Sequence, residues 1–237
     1  MALSIDGTPQ GGTASAASIV LPAFTTANAN DIIVIGALSN ADPITSITGG
    51  GLTFLSKVDG ASPRVALWYA VAASPLSAVQ FTVNFGSSAS IRAAVFAISG
   101  ADTTTPWDAT AAATDVAAPC DPLAWTNTAA DCCVVAVFRM ASTTTPTAGS
   151  GWTQQWGANS LLLETKIVSA AGSNSASITT GNGNSNGGIV AGVVMAAGAG
   201  VTAAITGTAT ASITESDIVT GGKVVTVTLS GDTFIGN

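Results

Sequence analysis

The feature that most restricts the fold is a repeat, in which the same short apolar segments occur twice in the same order. DIIVIGAL, which begins at Asp31, aligns with DCCVVAVF, which begins at Asp131. GLT aligns with GWT, and IRAAVFAISGA at Ile91 aligns with IVAGVVMAAGA at Ile189. Ordered matches at a nearly constant spacing indicate the duplication of a half of about 100 residues.

Each half consists of strand-length segments. VQFTVNF alternates, which places Val79, Phe81, Val83 and Phe85 on one face of a strand. Clusters such as NADP, TGGG and GASP predict turns between the segments. The chain is therefore predicted to be all-β: an antiparallel, jelly-roll-like β-sandwich whose two duplicated halves pack around one core.

The domain prediction follows from the repeat. We expect the duplicated sandwich over residues 1–200, with halves at about 15–110 and 111–200. Residues 201–237 restart with Thr-rich alternation, and TGGK supplies a turn, which predicts a C-terminal β-hairpin extension. Two or three strands do not make an independent core. The extension is expected to dock on the sandwich, to join a neighbour by strand addition, or to open a further module.

Charge is scarce in this chain. Charged residues make up 8% and hydrophobic residues 47%, with a net charge of −7, against roughly 25% charged residues in an ordinary soluble domain. Six scattered Lys and Arg residues do not form a stripe that follows phosphates, so no nucleic-acid binding is predicted.

Targeting and membrane signals are weak. The start MALSIDGTPQGG has no basic region followed by an apolar stretch, so no secretory signal is predicted. Ile167 to Thr214 is free of charge, but it is rich in Ala, Gly and Val, and the repeat assigns its first part to a strand. We predict no membrane span.

The cysteines give two readings. Cys132 and Cys133 are neighbours in a predicted strand, so their side chains point to opposite faces and cannot bind one metal ion. Buried free thiols are the first reading. A disulfide from Cys120 to Cys132 or Cys133 is the alternative, if the protein ends outside the cell. A zinc site would lack both CxxC spacing and histidine, so no metal is predicted.

Catalytic candidates are few. The chain has no histidine, which excludes imidazole bases and ligands. The best carboxylate pair is Asp102 and Asp108, the basis of a hydrolase or calcium-site alternative. Asp102 is instead expected to cap its Thr-rich turn, which Pro106 stiffens. We predict no enzyme and no cofactor.

Tryptophans are the other binding candidates. In a regular strand Trp152 and Trp156 would share one face, about 13 Å apart, and could stack on sugar rings. Core packing is the competing reading, because Trp152 aligns with Leu52. Trp107, near the Asp102 turn, is a weaker candidate. All three are tentative glycan or partner contacts.

Several predicted strands are apolar on both faces, among them DIIVIGAL and IRAAVFAIS. A sheet in a two-layer sandwich has one wet face, so the second face must be covered by loops or by another subunit. With the low charge, this favours a homo-oligomer or a protein bound in a lattice.

The segments LPAFTTANANDIIVIGAL, GGGLTFLSKV, WYAVA, FTVNF, AISGADTTTPWDA and GSGWTQQW together resemble a β-sandwich domain of tailed-bacteriophage structural proteins and some bacterial surface proteins. ITESDIVTGGKVVTVTLSGDTFI is similar to the first hairpin of an immunoglobulin-like module appended to such proteins. The chain departs in having LLLETKIV where the family more often shows an aromatic pair.

The resemblance implies a virion protein, assembled in the host cytoplasm as a capsid decoration, head fibre or tail component. It would bind capsid or tail proteins and has no catalytic residues to transfer. A carbohydrate-binding or adhesion module that recognises host-surface glycans is the alternative function.

Overall fold

A computed structural model describes residues 2–40, 42–59, 64–108, 113–115, 123–140, 145–176, 178–179, 185–194, 202–206 and 226–230. These residues form strands and no helix, and the sheets of the sandwich are antiparallel, which confirms the all-β class. The chain divides into two compact units, Met1–Ala196 and Ala197–Asn237.

The strands of the first half are β1 (Ser4–Val20), β2 (Asp31–Ser39), β3 (Ile44–Thr48), β4 (Leu55–Asp59), β5 (Arg64–Ala72) and β6 (Thr82–Ser99). The second half has β7 (Ala113–Asp115), β8 (Leu123–Asn127), β9 (Cys132–Met140), β10 (Thr147–Ala148), β11 (Thr153–Ala158), β12 (Leu161–Val168), β13 (Gly172–Ala176), β14 (Ile178–Thr179) and β15 (Ser185–Val194).

The main sheets of the two halves have the same strand order. The first runs β1-β6-β2-β5-β4, with β3 also on β6. The second, read from its other edge, runs β7-β15-β9-β12-β11. Both edge pairs also carry a register shift at corresponding places, between Ser56 and Val58 and between Gln154 and Trp156. A shared order and a shared bulge are expected of a duplicated half, since bulges tend to persist within families.

The pairing corrects the alignment of the repeat. Ile98 pairs with both Ile5 and Ile32, and Val193 pairs with both Trp107 and Cys133. Cys133 therefore stands in the place of Ile32, one residue away from the sequence alignment, and Ile91 does not correspond to Ile189.

The backbone before each central strand agrees with this register. Asn30 (φ 63) and Asp131 (φ 51) are both left-handed, so Asp131 corresponds to Asn30. Asp31 then corresponds to Cys132. The sequence alignment followed the identical aspartates and missed the shared conformation, which Asn and Asp both tolerate.

Two apolar cores hold the first unit together. The first-half core lies inside that half and includes Phe24, Ile33, Ile35, Phe81 and Val95. The shared core combines residues of both halves, and it also fills the interior of the second half. The single core of the prediction is thus two clusters.

The second apolar face of the first sheet is covered by the second half of the same chain. Ile32, Val34 and Phe96 face away from the first-half core and belong to the shared core. Gly36, on the same face, leaves no room for a Cβ, which would lie 2.9 Å from the Leu163 side chain. A covering subunit, which the sequence favoured, is not needed to bury this face.

The second unit is described at two strands, β16 (Thr202–Thr206) and β17 (Thr226–Ser230). They pair in parallel, so together they are not the arms of a hairpin. The turn predicted at TGGK lies outside the described residues.

Candidate functional site

Trp152 is a core residue. Its side chain is 8% exposed and belongs to the shared core. Its indole Nε1 donates a hydrogen bond of 3.1 Å to the carbonyl of Ser175 on β13. The indole has no free face for a sugar ring to stack on.

Trp156 lies on the opposite side of its sheet from Trp152. Its ring covers Gly11 of β1, where a Cβ would lie 2.3 Å from the nearest ring atom. The bulge between Gln154 and Trp156 reverses the alternation of side chains, so residues four apart no longer share a face. The predicted tryptophan pair is therefore split between the two faces of the sheet, and both rings pack with the shared core.

Trp107, like Trp156, is only partly buried, whereas Trp152 is buried. The ring centroid of Trp107 lies 5.4 Å from that of Tyr69 at an interplanar angle of 73°. Lys57 Nζ lies 5.6 Å from the ring centroid, within cation–π range. Burial lowers the pKa of Lys57, and the negative charge of Asp108 opposes that shift.

Asp102 and Asp108 each accept hydrogen bonds from two backbone amides, an arrangement that we call a backbone clamp. Asp102 Oδ1 accepts hydrogen bonds from the amides of Thr104 (2.7 Å) and Thr105 (3.0 Å), which confirms the predicted cap. The amides of Thr105 and Thr104 lower the pKa of Asp102. Asp108 is buried and accepts from the amides of Thr128 (2.7 Å) and Ala129 (2.9 Å), and from the Thr128 hydroxyl.

Asp6 forms a backbone clamp like that of Asp108. Its Oδ2 accepts from the amides of Ala27 (2.9 Å) and Asn28 (2.8 Å), directly before the left-handed turn into β2. Burial opposes the ionisation of Asp6, but the Asn28 amide, the Asp31 carboxyl and the Ala27 amide together outweigh burial and lower the pKa of Asp6. Sequence reasoning missed this residue, although Asp6 stands 21 residues before Ala27 and Asp108 stands 20 residues before Thr128.

Asp31 lies fully buried beside Asp6, and within the described ranges neither carboxyl oxygen makes a hydrogen bond of normal geometry, although the nearby Thr26 side chain favours the charged form. Burial first, and then the neighbouring Asp6 carboxylate, raise the pKa of Asp31 to about 7. The second half has Cys132 at this place, where burial and then the charge of Asp108 raise the thiol pKa to about 11.

Cys132 and Cys133 are buried, and neither forms a disulfide with another described residue. Cys132 Sγ donates to the carbonyl of Ala129 at 3.3 Å, near the Asp108 clamp. Cys133, in the place of Ile32, points to the other face, and burial raises its pKa to about 12. Cys120 lies outside the described residues, so the disulfide stays a prediction.

Two arginines that the sequence did not single out lie between the two main sheets. Arg92 on β6 is buried, and Arg139 on β9 is half-buried. Arg139 donates to Asn40 Oδ1 at 3.1 Å, and Arg92 donates to Ser90 Oγ at 2.8 Å. Their proximity depends on the packing of the halves, which no local motif encodes.

The described segments contain no cluster of three His, Cys, Asp or Glu side chains that could hold a metal ion. They also contain no helix long and apolar enough to cross a membrane. Comparison with protein-family models, with curated proteins and with solved structures finds no match for this chain.

Proposed function

We propose that this protein is a non-enzymatic structural or accessory component of a tailed-phage particle: a capsid decoration, head fibre or tail protein. Support comes from the sequence resemblance and from the low content of charged residues. The carboxylates considered for chemistry bind backbone amides instead, and this use of Asp102 and Asp108 weighs against the hydrolase alternative.

The observation that carries the proposal is the position of the exposed apolar side chains. Within the described ranges the large ones are Val20 (56%), Leu55 (53%) and Ile167 (57%). Val20 and Leu55 lie on the edge strands β1 and β4, and Ile167 lies where β12 extends past its pairing with β11. Apolar groups at open strand edges favour the addition of a strand from a neighbouring protein.

The first test is mass spectrometry of purified particles with copy-number measurement. A copy number close to that of the shell protein would indicate a decoration, and a few copies would indicate a fibre or tip. Absence of the chain from the particles would contradict the proposal.

The second test asks whether the edges make the contacts. Leu55→Glu should leave the folded chain intact but reduce its incorporation into particles, because a carboxylate resists burial at a strand edge. Ser74→Glu is the matched control, since Ser74 is exposed in the β5–β6 connection. Equal incorporation of the two variants would count against edge-mediated contact.

The alternative, a glycan-binding module, rests on Trp107, because its ring is half-exposed beside Tyr69 and Lys57. Trp107→Ala should then abolish retention on a glycan array while the chain remains folded. Unchanged retention, or no retention of the unaltered chain, would remove this alternative.

A further inference from the structure

Arg92 lies on β6 of the first main sheet and Arg139 on β9 of the second. Arg92 pairs with Leu38 of β2, so both side chains point to the same face, and Leu38 belongs to the shared core. Arg139 pairs with Leu161, and Leu163 on the same side of β12 contacts Gly36 of the first sheet. Both arginine side chains therefore point into the space between the sheets.

The two guanidinium groups have few acceptors. Arg92 is 9% exposed, and its terminal guanidinium nitrogen donates a hydrogen bond to Ser90 Oγ. Its Nε is buried and has no hydrogen-bond acceptor. Arg139 bonds the Asn40 side-chain oxygen. In the part of the chain that the structure describes, no carboxylate offsets either charge.

This arrangement is electrostatically unfavourable by itself. Burial, and then the charge of Arg92, lower the pKa of Arg139, and burial lowers the pKa of Arg92. Arginine nonetheless stays protonated in proteins. Buried charges are normally paired, because an uncompensated buried charge is strongly unfavourable, so two like charges at this place require an anion.

We propose that Arg92 and Arg139 form an anion-binding site at the end of the interface between the two main sheets, and that it takes an oxyanion such as phosphate or a carboxylate. Two guanidinium groups present several N–H donors in planar forks, which match the paired oxygens of such groups. Asn40 is exposed, so the site opens to solvent on that side.

To test this, the full chain is titrated with inorganic phosphate and, in a separate experiment, with acetate. Chloride at equal ionic strength is the control, and the melting temperature and the heat of binding are measured. Saturable binding of phosphate alone would identify a phosphate site, and binding of both would identify a general oxyanion site. A response to neither, beyond that to chloride, would overturn the proposal.

Substitutions of single residues show whether the anion binds at the two arginines. Arg139→Gln should weaken binding at least tenfold, and Arg139→Lys should recover only part of it, because a lysine has no planar fork. Lys166→Gln removes a cation from β12 and should bind as the unaltered chain does. Arg139 is half-buried and at the rim, so its variants should fold even if Arg92→Gln does not. Undiminished binding by Arg139→Gln would refute the assignment.

Discussion

Asp6 and Asp108 hold the same turn in the two halves, but the residues beside them differ. Asp31 adds a second buried carboxyl in the first half, whereas Cys132 adds a neutral thiol in the second. Asp31 therefore titrates near neutral pH in the first half, whereas Cys132, at the corresponding place in the second half, titrates only in alkaline solution. Its only charged neighbour within the described residues is Asp6.

The pH dependence has a definite sign. The unfolded chain releases the Asp31 proton near pH 3.8, and the folded chain keeps it until about pH 7. Unfolding between these values releases a proton, so the free energy of unfolding should fall as pH rises, by at most about 1.4 kcal/mol per unit. The stabilising contribution is complete below pH 3.8 and lost above about pH 7. Asp6, with a lowered pKa, acts in the opposite direction only in more acidic solution.

Asp31→Cys, which installs the residue of the second half, should remove this slope. Urea unfolding at pH 5, 6, 7 and 8 measures it. Asp102→Asn, in an exposed turn, should keep the slope of the unaltered chain. Parallel slopes for Asp31→Cys and the unaltered chain would show that the Asp31 carboxyl does not titrate in this range.

Trp152→Ala should lower the free energy of unfolding by about 3–5 kcal/mol, because it leaves a cavity in the shared core and an unpaired Ser175 carbonyl. Trp152→Phe should recover most of the loss, since it fills much of the volume. Denaturant titration measures both. An Ala variant as stable as the unaltered chain would contradict the core assignment.

At the scale of strands, the contact between β1 and β11 depends on a missing side chain. Gly11→Ala would place a Cβ 2.3 Å from the Trp156 ring, so we expect a loss of about 1–3 kcal/mol in the free energy of unfolding. Gly12→Ala, on the other face of β1, meets Ile19 at 3.3 Å and should cost much less. Thermal and urea unfolding of the two variants make the comparison. Equal losses would mean that strand propensity, and not the tryptophan contact, determines the effect.

At the scale of strands, the sequence could predict only features that depend on neighbouring residues. Alternation of Phe81, Val83 and Phe85 predicts a strand with one buried face, and all three are buried. The faces of Trp152 and Trp156 were predicted wrongly, because a bulge reverses the alternation and GWTQQW carries no signal for it. The Arg92–Arg139 approach was not predictable, because it is created by packing between distant strands.

For the whole molecule, the burial of both faces of these strands was predicted, but the sequence left their cover open between loops and another subunit. Ile32 and Phe96 are buried by the second half, through a contact that a strand pattern does not specify. The proposed contacts with particle proteins therefore move from sheet faces to strand edges.

A chain ending at residue 105 should self-associate, because it exposes the face that carries Ile32, Val34 and Phe96. A chain ending at Ala196, the boundary of the first compact unit, should keep the shared core and stay dispersed at the same concentration. Size-exclusion chromatography with light scattering distinguishes the two. A stable monomer from the shorter chain would show that the first half does not need its cover.

The matching strand orders of the two main sheets bear on how the protein evolved. Corresponding faces of the two sheets meet each other, with Ile32 on one side and Cys133, its counterpart, on the other. Such self-complementary contact is what a symmetric pair of identical subunits makes. We infer that an ancestral single-copy protein associated as a twofold homodimer and that gene fusion later tethered its subunits, after which each copy was free to acquire its own substitutions.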